Sequence, residues 1–256
     1  MDVDTAALAA KFATLWFVDA DPLAAVYWRK CAVPLRWDVC DVSGVIKDWV
    51  RRVETTGGGW KQVLNQVRTL PRPAGVAFTP IADGIVSLNL LSQIPIVWQE
   101  LLEQHLNNRF GVAFVKKQEQ HWMDAMIPGA RWLVEEHLKT LARTGARNIL
   151  LIADLNYAYY RNAPSMPLEG ATAPLAWDSG EWSASVAGVK FEVADSLFGV
   201  RLDDGEMFRQ WMPGYEMDWR QIWLWHISPL GLEYKKRGTV HRVGAFALRK
   251  KATGGA

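Results

Sequence analysis

Cysteine is nearly absent from the chain: Cys31 and Cys40 are the only two in 256 residues. Their spacing fits no common zinc pattern and both lie in apolar surroundings, so they read as reduced core thiols with no metal or disulfide role. An excess of charge of one sign is also missing. The formal net charge is +2, too small to imply a nucleic-acid partner, and the basic clusters Lys235-Lys236-Arg237 and Arg249-Lys250-Lys251 are short enough for a solvated turn and a solvated tail. No apolar run approaches the roughly 18 residues that cross a bilayer. The first residues, MDVDTAALAAKF, lack the basic, apolar and small-residue succession of a signal peptide. These absences argue for a cytoplasmic protein with neither a membrane nor a nucleic acid as partner.

Half the residues are hydrophobic and 22% are charged, which is apolar material enough for a sizeable core. No Pro/Gly/Ser-rich linker divides the chain. One domain over residues 1–256 is expected, with an inserted or extended region at about 162–220.

Apolar periodicity sets the order of elements. Ala6 to Phe12 reads as a helix, and Leu15-Trp16-Phe17-Val18 as a short buried strand stopping at Asp19. A helical stretch after Pro22 runs to about Lys30, and Leu35 to Cys40 forms a second strand ending at Asp41. Helices follow over Val45–Glu54 and Trp60–Leu70, separated by Gly57-Gly58-Gly59. That triple glycine has no strand before it and no Lys-Ser/Thr after it, so it reads as a turn and not as a phosphate cradle. Gly84 to Leu88 is the third strand, with a helix around Val97–Asn107. The longest helical segment spans about Lys116 to Arg143, where Pro128 is expected to kink or break it. His137 falls on its apolar stripe and reads as a satisfied, half-buried histidine and not as a catalytic one. Asn148 to Ala153 is the fourth strand, ending at Asp154. Further strands are expected near Trp182–Val193, then Gln221–Ile227 and Val240–Leu248 as an antiparallel hairpin. Alternating strands and helices predict an α/β, Rossmann-like, mostly parallel sheet with helices on both faces and a C-terminal antiparallel hairpin.

In open α/β sheets ligands bind at the carboxyl ends of the strands. Those ends here carry Asp19, Asp41, Ser87 with Asn89, and Asp154. A carboxylate at such an end can accept paired hydrogen bonds from a ribose diol or one from an exocyclic amine. Candidate bases beyond the cleft are Asp154, Tyr157, His226 and His241, in no recognisable constellation. Tyr157-Ala158-Tyr159-Tyr160 is expected either to wall a site with aromatic rings or to pack as a loop. No nucleophile elbow, phosphate loop with its Lys, or paired-histidine metal spacing occurs.

The segments LWFVDADP (15–22), WDVCDVSG (37–44), ADGIVSLNLLSQIP (82–95), ILLIADLNY (149–157) and the closing hairpin resemble class I S-adenosylmethionine-dependent methyltransferases of a bacterial branch. The resemblance covers nearly the whole chain through short, degenerate motifs. It implies S-adenosylmethionine as cofactor, with Asp19 on the ribose hydroxyls and Asp41 with Val42 at the adenine. Ser87 to Gln93 would line the cleft beside the methyl group. Asn89, Ser92, Gln93 and Asp154 would position or deprotonate an unidentified, small-molecule acceptor, and the closing hairpin would match the family's reversed last strand. The pattern departs in one place: the family's first strand and its glycine-rich turn have no counterpart before Leu15, which predicts unpaired edges on the strands ending at Asp19 and Ser87.

Fourteen tryptophans include Trp177, Trp182, Trp211, Trp219, Trp223 and Trp225 late in the chain. Trp223 and Trp225, two apart on a strand, share a face. They support a rival expectation, a non-catalytic scaffold or binding protein of the same fold that self-associates or holds a partner through this region.

Overall fold

A computed structural model describes residues 7, 10–19, 36–39, 41–73, 82–161, 190–202, 205–228 and 238–252. The expected helix after Pro22, both cysteines, Lys235-Lys236-Arg237 and the segment holding Trp177 and Trp182 lie outside those residues, as does most of the helix expected at Ala6–Phe12.

Strands β1 (Trp16–Asp19) and β2 (Arg36–Val39) pair in parallel as a two-stranded sheet, Trp16 opposite Arg36 and Asp19 opposite Val39. Helices α1 (Ile46–Thr55) and α2 (Trp60–Arg68) follow, then β3 (Gly84–Leu88), α3 (Leu90–Phe110), α4 (Val112–Lys117) and α5 (Glu119–Arg143). The chain continues through β4 (Asn148–Arg161), β5 (Lys190–Asp195), α6 (Glu206–Trp211), β6 (Tyr215–Ser228) and β7 (Gly238–Lys250).

The main sheet has the order β3-β4-β7-β6, with β5 also on β4. β3 and β4 are parallel, whereas β4/β5, β4/β7 and β6/β7 are antiparallel. A mostly parallel sheet was expected, so this is a correction: the sheet is mixed and mainly antiparallel. The reason lies in the pairings, because β6 and β7, consecutive among the described elements, pair antiparallel and β5 folds back along β4. The closing hairpin itself is as expected. Among the described residues, no strand pairs with the outer edge of β1 or of β3.

Two cores share helix α5. In the first, Trp49 of α1, Val63 and Val67 of α2, Trp98 and Leu102 of α3, and Trp122, Met126 and Ala130 of α5 are buried together. Trp49 meets Trp98 edge-on at 5.2 Å and donates its indole N–H to the Pro71 carbonyl at 2.8 Å. In the second, Val134, Leu138 and Leu141 of α5 pack on Ile149, Leu151 and Ala153 of β4 and on Phe246 and Leu248 of β7. Leu91 of α3 and Phe208 of α6 join that same core. Helices on both sheet faces were expected; the described helices that pack on the sheet enter through this one core.

Local differences from the expected elements have simple causes. The fourth strand was expected to end at Asp154; β4 instead continues through Tyr157-Ala158-Tyr159-Tyr160 to Arg161, because β5 and β7 both pair with it from Asn156 onward. Helix α3 begins at Leu90, earlier than its apolar stripe suggests, and takes in Pro95 near its start. The segment expected from Lys116 is divided at Gln118 into α4 and α5. Pro128 does not end α5; both it and Asp124, whose carbonyl its missing N–H leaves free, lie on the exposed side, where water can take up that acceptor. The triple glycine is a turn between α1 and α2, clamped by Arg109 of α3, whose guanidinium donates to the carbonyls of Thr56 at 2.6 Å and Gly58 at 2.5 Å.

Candidate functional site

A cleft of about 970 Å3 opens where the carboxyl ends of β2 and β3 meet α1 and α3, lined by Asp41, Val42, Gln93, Ile94 and Val97 among others. Its floor is apolar because α1 and α3 turn Ile46, Val50, Leu90, Ile94, Val97 and Leu101 toward it, and Lys47, Asp48, Arg51 and Glu54 stand along the α1 side.

Local capping holds Asp41 at the mouth. Its Oδ1 accepts the Ser43 backbone N–H at 2.9 Å and the Ser43 hydroxyl at 2.5 Å. The Ser43 oxygen in turn accepts the N–H groups of Val45 and Ile46 at the start of α1, 3.3 and 3.2 Å away. The aspartate thus braces a serine that caps the start of α1.

Of the residues expected at a site, the cleft gathers Asp41, Val42 and Gln93. Asp19 ends β1, and its side chain lies outside what the structure describes. Ser87 and Ser92 turn inward. Ser87 is 2% exposed, with its hydroxyl 2.9 Å from His137 Nε2, and the fully buried Ser92 donates to the Asn89 carbonyl at 3.0 Å. His137 was expected satisfied and half-buried; it has the Ser87 partner but is buried, and that burial pushes its pKa down from 6.5 to about 4.

Asn89 stands at the β3–α3 junction with φ 54° and ψ 0°, the left-handed region. Its backbone N–H donates to the Ile152 carbonyl of β4 at 2.7 Å. Its Oδ1 is buried with no hydrogen-bond partner. Left-handed asparagines with unsatisfied groups cluster where a backbone is held in place for function.

Asp154 belongs to a second cluster, on the sheet. The β4/β7 register slips by one residue between Asp154 and Asn156, so Asp154 faces Val243, Asn156 faces Arg242 and Tyr157 faces His241. Val243 and His241 are two apart on β7 and share a face. The slip therefore returns Tyr157 to the face of Asp154, although three positions separate them in the chain. Trp223 and Trp225 of β6 lie opposite Val243 and His241, so they occupy this face too, together as the sequence indicates.

The rings of Tyr157 and His241 are 5.8 Å apart, tilted by 32°, and Tyr159 meets Tyr157 edge-on at 5.4 Å. His241 Nδ1 lies 3.3 Å from Asp154 Oδ2, an ion-pair distance, yet Nδ1 makes no aligned hydrogen bond. Asp154 Oδ1 is buried without a partner, and the residue is 8% exposed. Three candidate bases named from sequence, Asp154, Tyr157 and His241, thus form one constellation. Their spacing hid it, because strand alternation places residues three apart on opposite faces unless a bulge intervenes. The His226 side chain lies outside what the structure describes.

Among the described residues there is no cluster of His, Cys, Asp and Glu able to hold a metal ion, and no helix long and apolar enough to cross a membrane. Neither a scan against protein-family models nor a search of curated proteins finds a match to this chain.

Proposed function

We propose that the chain is a class I methyltransferase-like protein that binds an S-adenosylmethionine-type cofactor in the cleft and acts on a small-molecule acceptor at the carboxyl end of β3, where β4 carries Asp154 past it. The observation that carries this reading is the strand order. β7 runs opposite to its neighbours β4 and β6, so β3, β4 and β6 share one direction with β7 inserted between β4 and β6, while β5 also runs against β4 beyond the end of β3. β7 matches the reversed last strand implied by the sequence resemblance.

The chemistry of the cleft fits the adenine end of such a cofactor. Val42, Leu90, Ile94 and Val97 offer apolar walls to a flat heterocycle, and the carboxylate of Asp41 can accept from an exocyclic amine. Its volume falls within the roughly 300 to 1,000 Å3 of small-molecule sites. When bound, the cofactor supplies an electrophilic methyl group; the chain's own residues bind, orient and exclude water. Asn89, beside the cleft at the end of β3, and Asp154, in the middle of β4 just past the last β3 pairing at Ile152, are the polar groups placed to meet an acceptor.

Calorimetric titration with S-adenosylhomocysteine tests the reading. Binding is expected for the unaltered chain and a loss of at least about tenfold for Val97→Arg, which puts a charge into the apolar wall from an exposed position. No heat and no thermal shift at millimolar ligand would end the cofactor proposal.

A second reading, a non-catalytic scaffold using the tryptophan-rich strand, draws on one observation: Trp219 on β6 is 49% exposed, and among the described strands β6 pairs only with β7. It requires indifference to S-adenosylhomocysteine together with self-association in sedimentation.

A further inference from the structure

A carboxylate taken out of water without a partner is costly, and proteins keep such a group where something else completes it. Asp154 is in that position. Oδ1 is covered and has no hydrogen-bond partner, and Oδ2 has only the misaligned imidazole of His241 at 3.3 Å. The group is still within reach of solvent, since its side chain keeps 11% of its surface and that of His241 keeps 20%. Rotation about the Cβ–Cγ bond, which is soft for aspartate, presents either oxygen to that opening.

The surroundings restrict what can complete it. Tyr157, His241 and Trp225 form a row across β4, β7 and β6 on the Asp154 face, with Tyr159 against Tyr157. Arg242, next to His241 in the chain, donates to Asn156, and its side chain belongs to the opposite face of β7. Among the described residues no lysine or arginine answers the carboxylate. Aromatic faces attract a cation through the ring quadrupole, and a carboxylate accepts its N–H groups. An anion or a second carboxylic acid would be repelled, and a hydrocarbon would leave Oδ1 unsatisfied.

We propose that Asp154, Tyr157, His241 and Trp225 form a binding site for an organic ammonium, a primary or secondary amine in its protonated form. The carboxylate accepts the N–H groups and the rings line the charge. Naming the amine as the acceptor class rests on the methyltransferase-like reading given above; binding of the ammonium itself rests only on the cluster.

The probe is n-propylammonium chloride, titrated calorimetrically at constant ionic strength beside its uncharged counterpart n-propanol. The unaltered chain is expected to bind the ammonium and not the alcohol. Asp154→Asn is expected to weaken ammonium binding on the order of 10- to 100-fold, the loss typical of a charged hydrogen-bond partner. Tyr157→Leu is expected to weaken it several-fold while the circular dichroism is unchanged. Removing a buried uncompensated charge is also expected to raise the melting temperature of the ligand-free Asp154→Asn chain, so poor folding does not mimic the binding defect. Equal binding by Asp154→Asn and the unaltered chain, equal binding of alcohol and ammonium, or a lower melting temperature for Asp154→Asn overturns the site. S-adenosylhomocysteine titration of the same samples separates the two ideas. Ammonium binding without nucleoside binding leaves this site standing and removes the methyltransferase-like reading, and the reverse result does the opposite.

Discussion

Ser87 Oγ and His137 Nε2 approach to 2.9 Å inside the molecule, joining the first strand of the main sheet to the long helix packed on it. Either tautomer makes this bond as a neutral ring, and burial holds His137 well below its ordinary value of 6.5, at about 4. The folded chain therefore binds fewer protons than the unfolded chain between those two values. The stability contributed is complete above about pH 6.5 and is lost as the pH falls toward 4, on the order of 3 kcal/mol in all. Urea denaturation from pH 7.5 to 4.5 should show this loss. The double variant Ser87→Ala, His137→Leu should flatten it, because removing both partners leaves no orphaned group.

At Asn89 the left-handed backbone makes a second expectation. Asn89→Gly should leave stability unchanged or raise it slightly, since glycine adopts φ 54° without strain. Asn89→Val should cost about 1 to 2 kcal/mol, because a β-branched residue resists that region. Denaturant midpoints of the two variants, compared with the unaltered protein, measure the difference.

Gly129 of α5 lies under the indole of Trp49, where a Cβ would stand 3.3 Å from Cζ3 and 3.5 Å from Cη2. Trp49 is fully buried and held by Trp98 and Trp132 at 5.2 and 5.5 Å, so it has little room to withdraw. Alanine gains about 1 kcal/mol of helix propensity over glycine, and the crowding is expected to outweigh it. Gly129→Ala should be destabilising by about 1 kcal/mol and Gly129→Leu by 3 kcal/mol or more, as estimates from overpacked cores. Guanidinium unfolding followed by tryptophan fluorescence reads both.

The clamp on the glycine turn gives a local prediction. Arg109→Met keeps most of the aliphatic stem of the side chain but removes donors to the carbonyls of Thr56 and Gly58. A loss of about 1 to 2 kcal/mol is expected. Hydrogen exchange should rise in residues 56–63 and remain unchanged in β4 and β7.

The first three strand ends were legible in the sequence because apolar runs of β-forming residues stop abruptly at acids or at Asn89, and β1 to β3 fall where those runs do; β4 runs past its acid, Asp154, to Arg161, because β5 and β7 keep pairing with it. The inward turn of Ser87 was not legible. Alternation assigns it a face but does not say which face meets α5, and that depends on Leu151 and Leu138 packing around it. The cleft was half legible: Asp41, Val42 and Gln93 stand at strand and helix ends, whereas Val50 and Leu101 come to it only through the crossing of α1 and α3. Mostly parallel pairing failed as an expectation because β5, near the segment read from sequence as an insert, returns along β4. The Asp154 cluster was concealed by one extra residue, Leu155, which no periodicity marks.

That extra residue also divides β4 mechanically. Upstream, its outer edge is paired with β3 through Ile152; downstream, with β5 from Asn156 onward. The strand acts as a spine carrying two panels end to end, with the irregularity as the crease between them. Twisting or peeling of the β5 panel can be absorbed at the crease without tearing the β3 pairing that anchors the cleft. β7 stays paired with β4 on both sides of that crease, so it is the strap that holds the two panels, and the rows bearing Asp154 and Tyr157, in register.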